Sequence, residues 1–500
     1  MKTAVLFLYV ISLVIIGFIG MRKTKDLNDF FLGGREIGPW MSAFAYGTTY
    51  FSAVIFIGYA GKVGWGFGLS GLWVAIGNSI IGGYLAWRIL AKPTREITQK
   101  LNVRTMPEFL AVRYNSPGFK IFSSIVIFIF LVPYSASVYM GLSYLFESVF
   151  HIKYVLALAV MAVLTALYLV MGGYFAVNLS NVFQGFVMIF GIILMVTRIV
   201  SHQQIGGIAE SLKKLYEIDP KLVSPVGPPG FWPLFFLVVL TSLGPWGLPQ
   251  MIHKFYSIKD VKSIKPAMLV TTGFSLVISL GAYFIGSLTR LFFTSIPLEA
   301  GKPNPDLMIP QIIDMTMPEV LAAVILALIM SASMSTLSSL VLVSSSAVGI
   351  DLVQGYLKPD LDKRHQVLLM RILCLIFIGL SLVIALLKPA VILTLMAISW
   401  GTVAGVFLSP YLFGLFWKGT TKIGAWAGSL SGLAISLVLS VMSGFDSSKI
   451  PMYGTLAMII PIGIVPLISI ITPAFSSKHI SQIFDMGEEL PEKSLAAKNL

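Results

Sequence analysis

The chain has 500 residues, 56% of them hydrophobic and only 11% charged, with a mean hydropathy of +0.88. One or two soluble domains of that composition would leave large apolar patches in water, so lipid must be the solvent for most of the surface. The net charge of +13 is spread over many connections and forms no single patch, which argues against nucleic acid as a partner and for contact with anionic lipid headgroups.

A helix needs about 20 mostly apolar residues to cross the hydrocarbon. Such stretches occur thirteen times, near 3–21, 39–61, 66–90, 120–148, 154–172, 181–200, 231–252, 267–292, 318–349, 368–388, 390–415, 423–444 and 453–473. The expected fold class is therefore an all-α integral membrane protein. The first stretch lacks an evident small-residue cleavage site and is followed by Arg22, Lys23 and Lys25, so it reads as a retained helix. An odd number of crossings puts the termini on opposite sides. With the N-terminus outside, 24 of the 35 Lys and Arg fall on inner connections, among them Arg95, Lys100, Lys120, Lys254 and Lys259. That bias favours an outside N-terminus and a cytoplasmic C-terminus in a cell membrane. No long soluble domain interrupts the stretches, so function is expected within the membrane. The lone cysteine, Cys374, lies in an apolar stretch and reads as a small core residue.

Two stretches have broken helical potential. The second reads PWMSAFAYGTTYFSAVIFIGYAG, and the seventh contains SLGPWGLPQ, with Gly244, Pro245, Gly247 and Pro249 in six residues. Proline removes a backbone donor and glycine weakens the helix, so unwound backbone is expected at membrane depth, where protein or a cavity must satisfy it. The breaks lie five stretches apart, and an odd-numbered unit inverts its second copy. The organisation expected is a first helix and inner loop (1–38), a ten-helix core (39–415) built from repeats of about 39–200 and 231–415, two further helices (416–473) and a tail (474–500). Such breaks point to an inverted-repeat transporter with a midplane site; kinks used only for packing are the alternative.

All 22 acidic residues and the five histidines can be placed at stretch ends or in connections, so no intramembrane proton relay is evident. The ninth stretch, SASMSTLSSLVLVSSS, offers hydroxyl oxygens instead. Ser331, Ser335, Ser338 and Ser345 recur at helical spacing, with Ala332, Thr336 and Ser339 alongside. Hydroxyl and carbonyl oxygens suit a hard cation such as Na+, while a close-packing face of small residues reads equally from composition. Enzyme signals are weak. Gly66, Gly68 and Gly71 form a formal G-x-G-x-x-G with no preceding strand, and neither a Cys/His cluster nor a nucleophile elbow is present. Asn178-Leu179-Ser180 matches a glycosylation acceptor but falls on the expected inner side.

DFFLGGREIGPW (Asp29 to Trp40), GGYFAVNLSNVFQG (Gly172 to Gly185), GLPQMIHKF (Gly247 to Phe255) and MSTLSS (Met334 to Ser339) together resemble the sodium:solute symporter family over nearly the whole chain. The resemblance implies a leucine-transporter-like 5+5 inverted-repeat core and Na+ as the coupling ion. It places that ion at Thr48 and Phe51 in the second stretch and at Ala332, Ser335 and Thr336 in the ninth, with Thr48, Phe51 and Ala332 acting through main-chain oxygens. Some members hold a second Na+ with serines matching Ser335, Ser338 and Ser339 and an aspartate; here the matching residue is Asn181, so one Na+ per solute is expected. Proline-type members carry an acidic residue where this chain has Tyr50 and aromatic residues where it has Thr241 and Pro245. GLPQ and TYFSA look more like the pantothenate branch, whose neighbours include carriers of small monocarboxylates. By position, Thr49, Tyr50, Ser52, Tyr134, Trp246 and Gly247 would meet the solute, and helix packing explains each about as well. The function implied is Na+-coupled symport of pantothenate or a monocarboxylate-like anion. A proton-coupled or uncoupled carrier is one alternative, and a transporter-like sensor another.

Overall fold

The computed structural model describes residues 2–21, 31–358 and 360–485. The basic cluster Arg22, Lys23 and Lys25 and the end of the tail, with Lys493 and Lys498, lie outside the described residues. Almost everything described is helix, since a helix satisfies its own backbone polar groups where no water can. The exception is a small hairpin that pairs Leu298–Glu299 with Lys302–Pro303.

The helices that build the site are α1 (Lys2–Met21), α2 (Pro39–Tyr50), α3 (Ala60–Phe67), α4 (Pro117–Phe150), α5 (Tyr154–Val200), α6 (Phe231–Leu243), α7 (Pro249–Ser257), α8 (Ile264–Ser287), α9 (Glu319–Ser346) and α10 (Ile392–Phe416). Helix falls on each of the thirteen apolar stretches. Ten helices among the described residues are long and apolar enough to cross a membrane, with Phe7–Ile16 and Tyr154–Leu167 as shorter apolar helices beside them. α9 and α10 form the centre. Their most apolar windows are 83% and 94% buried, against 33% for Arg364–Leu387, which leaves most of its surface to lipid.

The two faces of the bundle are marked by contacts along the second stretch. At one face Ile37 forms a parallel bridge with Ile258; at the other Gly61 abuts Pro305 of the 293–317 connection. α5 is a single helical run of 47 residues where a break near 173–180 was expected. Straight, it would extend roughly 70 Å, over twice the hydrocarbon thickness. Its contacts run from one face of the bundle to the other and back. The Tyr154 hydroxyl donates to Ala385 O at 2.9 Å beside Lys388, and Arg198 Nε donates to Thr316 O at 3.3 Å, both at the face of the 293–317 connection. Between them, Tyr174 meets Ser257 at 2.9 Å on the opposite face.

The 293–317 connection is fastened to the core through Asp306, whose Oδ2 accepts the Ile392 N–H at 2.9 Å and so caps the start of α10. Burial pushes its carboxyl up to about 6, against the pull of the Ile392 N–H and of Lys62. A carboxyl whose folded value lies above its unfolded one holds its proton more tightly when folded, so stability falls as pH rises from about 4 to about 6. Asp306→Asn keeps an oxygen acceptor and has no such proton. Thermal unfolding of both proteins is expected to shift in favour of the variant between pH 4 and pH 7. A difference in midpoint that does not move with pH would show that Asp306 stays in one protonation state.

Candidate functional site

α2 stops at Tyr50, and Phe51 is extended at φ −112° and ψ 121°. Beyond it, the Ala53 N–H donates to Ser333 Oγ at 3.0 Å and the Val54 N–H to Ser52 Oγ at 3.2 Å. The carbonyls of Thr49 and Tyr50 thereby lose the donors that a continuous helix would give them. α9 runs past this open end. Thr336 Oγ1 lies 3.1 Å from Thr49 O, 3.4 Å from Thr48 O and 3.1 Å from Ala332 O in its own helix. One hydroxyl proton cannot serve three carbonyls fully, so the arrangement is a convergence of oxygens. Thr48 Oγ1 is 2.7 Å from Ser335 Oγ, and Thr49 Oγ1 is 3.0 Å from Ser339 Oγ. Thr48, Ala332, Ser335 and Thr336 are thus brought together in full burial, with Phe51 following at the break. Uncharged hard oxygens from main chain and hydroxyls are a donor set that fits Na+.

The second break falls between α6 and α7. Gly244–Trp246 form a 3-10 turn, Leu248 is extended at φ −87° and ψ 119°, and Pro249 restarts the helix. A Cβ on Gly247 would come within 2.9 Å of Ala404 O and Leu408 N in α10, so glycine is required there for backbone packing. Tyr50 ties the two breaks together, its hydroxyl donating to Thr241 O at 2.7 Å.

Next to the break in α2 lies a small cavity, walled by Tyr50, Phe51, Ser52, Val54, Ile55, Tyr59, Asn78, Tyr134, Thr241, Tyr283, Met396 and Trp400. None of these side chains is charged. Of the residues expected to meet a solute, Tyr50, Ser52 and Tyr134 stand in this wall. Thr49 turns to Ser339, Trp246 donates to Ile81 O at 2.9 Å, and Gly247 packs on α10, so these three stand off it.

The pattern of the sodium:solute symporter family matches residues 30–432. The chain belongs to this family. Relatives of the symporter include the sodium/proline symporters of Haemophilus influenzae (30% identical; 85% of each chain) and Escherichia coli (29% identical; 86% of each chain). Its fold matches that of a Na+-coupled sialic acid symporter solved with substrate bound in an outward-open state, with a TM-score of 0.79 at 18% identity, covering 95% of this chain and 98% of that one. The symporter is therefore an all-α membrane protein with a leucine-transporter-like core, it couples solute movement to Na+, and it is not an enzyme. The relatives named above are proline symporters, whereas the motifs pointed to the pantothenate branch.

Several features of the symporter were not anticipated. The serine stripe of α9 does not act as one face, because Ser331 donates to the Tyr9 hydroxyl of α1 at 3.0 Å and Ser338 to its own helix at Met334 O. Asn181 is buried and its amide has no hydrogen-bond partner among the described residues. Tyr59, Asn78, Tyr283 and Trp400 were missed as wall residues; Asn78, a lone amide in an apolar stretch, was the one findable signal. Two ionisable groups that the sequence places at stretch ends or in connections are buried in the structure. Lys254, counted with an inner connection, is 1% exposed and donates to Ser339 Oγ at 3.0 Å, because Pro249 restarts a helix that keeps it inside. Asp351 is likewise buried, held by Thr105 Oγ1 at 2.7 Å and Lys120 at 3.7 Å.

Proposed function

We propose that the symporter carries one Na+ with one small solute bearing a single carboxylate, a monocarboxylate or pantothenate-like anion, by alternating access. Na+ sits at Thr48, Phe51, Ala332, Ser335 and Thr336, and the solute lies beside it against Tyr50, Ser52 and Tyr134. Na+ bridging the broken end of α2 to α9 favours one facing state and so raises solute affinity, and the solute raises Na+ affinity by the same factor. Thirteen crossings, a ten-helix core over 39–415, an outside N-terminus and a cytoplasmic C-terminus complete this reading.

The observation that carries the choice of solute is the uncharged wall of the cavity. Na+ paired with a monoanion is neutral and can be buried there without a protein counter-charge, whereas Na+ with a zwitterion such as proline leaves one uncompensated positive charge. Tyr50, Thr241 and Pro245, where proline-type members carry an acidic and two aromatic residues, point the same way.

In proteoliposomes, Na+-driven uptake is expected to be inhibited by short monocarboxylates or pantothenate, and to move no net charge. Inhibition by proline alone, with an inward current per solute carried, would overturn the anion and leave the Na+ site standing.

A further inference from the structure

α7 brings a cation into the interior that the transport cycle described so far does not use. Among the described residues no carboxylate forms an ion pair with Lys254. Its ammonium donates to Ser339 Oγ at 3.0 Å and stands 5.3 Å from the centre of the Tyr174 ring. Among the described residues around it, none offers a negative charge to offset it. His253 beside it is buried, the Arg35 guanidinium bonds to Tyr256 O and Val103 O nearby, and the buried polar residues that follow Tyr174 along α5, Asn178, Ser180, Asn181 and Gln184, are neutral.

A buried, unpaired ammonium is unfavourable and is rarely found in a membrane helix without a task. The hydroxyls show what this one touches. Ser339 Oγ, which holds the ammonium, is also 3.0 Å from Thr49 Oγ1, and the Thr49 carbonyl is 3.1 Å from Thr336 Oγ1. Ser335 and Ser339 lie one turn apart on α9, so Lys254 sits at one end of a short line of oxygens whose other end is the Na+ position.

We propose that the Lys254 ammonium is a resident cation at the Ser339 end of this line, which keeps a second metal ion out and holds down the affinity for Na+ at the Thr48, Ser335 and Thr336 end. The inference rests on the Na+ position given above. Like charges at the two ends of this line repel where water is excluded, and the side chain, unlike a metal ion, cannot leave the protein. Weakened Na+ binding serves release, since an ion held too tightly would not leave at the end of the cycle.

The test is Na+ titration of purified protein by thermal stabilisation, alongside Na+-activated uptake, for wild type, Lys254→Met, Lys254→Gln, Lys254→Arg and Thr336→Ala. Wild type is expected to give a non-cooperative Na+ curve. Lys254→Met and Lys254→Gln are expected to lower the half-saturating Na+ concentration by roughly tenfold or more, and Lys254→Arg to stay near wild type. The glutamine variant keeps a donor for Ser339 and covers the case in which the methionine variant does not fold. Folded neutral variants with an unchanged or raised half-saturating concentration would overturn the proposal, and so would a cooperative wild-type curve. If Thr336→Ala leaves the Na+ response intact, the ion position itself is wrong. If Thr336→Ala weakens it while the neutral variants at 254 match wild type, only the role of Lys254 fails.

Discussion

Thr336→Ala is expected to raise the Na+ concentration for half-maximal uptake by about tenfold or more, and Ser335→Ala by a similar factor, which is about 1.4 kcal/mol for each. Thr336 Oγ1 stands among the carbonyls of Thr48, Thr49 and Ala332, so its loss removes the proposed coordinating oxygen and the tie from the open end of α2 to α9 together. Ser335 Oγ is the partner of Thr48 Oγ1 at 2.7 Å, on the same two elements. A hydrogen bond to a charged group contributes about 1.5–3 kcal/mol, so a tenfold effect is the lower end of what one ligand supplies. Because both hydroxyls act on one ion, the double variant is expected to fall short of the product of the two effects. Ser331→Ala is the control from the same helix, its hydroxyl being spent on Tyr9 of α1. Uptake by Ser331→Ala should keep the wild-type Na+ curve. Equal curves for all three variants would remove the ion from this position.

The proposed ion position was open to sequence reading because it is built from main chain and hydroxyls in two contiguous segments. A cluster of proline and glycine such as Gly244, Pro245, Gly247 and Pro249 advertises an unwound backbone, and a run of serine and threonine inside an apolar stretch is visible in composition. The solute cavity was harder to see. Its wall draws single residues from many helices, and Tyr59, Asn78, Tyr283 and Trp400 each sit among apolar neighbours. A helix such as α10, buried almost all round, has no polar face to reveal which side is the wall. Lys254 was hidden for another reason. A charge at the end of an apolar stretch resembles a connection, and only the restart of the helix at Pro249 shows that Lys254 lies inside. Hydropathy divided α5 into two stretches, and the helical continuity through Gly172 and Gly173 was not read.

Gly64→Ala is expected to destabilise the symporter by about 3 kcal/mol, while Gly66→Ala, two residues along the same helix, is expected to be neutral or to stabilise by up to about 1 kcal/mol. A Cβ on Gly64 would fall on the backbone of Gly286, and one on Gly286 would fall on Ala60 O, so α3 and α8 touch backbone to backbone. No flexible side chain stands there to move aside. At Gly66 nothing lies within 4 Å of the added Cβ, and the helical gain from alanine is unopposed. The contact bears on function because Tyr59 precedes α3 and Tyr283 lies on α8 one turn from Gly286, and both stand in the cavity wall. Parting the two helices by a methyl would widen the wall between those rings. Gly64→Ala protein is therefore expected to unfold at a lower temperature in detergent and, where it folds, to bind solute more weakly, with Gly66→Ala matching wild type in both. Equal midpoints for the two variants would mean that α3 and α8 do not meet at Gly64, and that the spacing of Tyr59 and Tyr283 is set by other contacts.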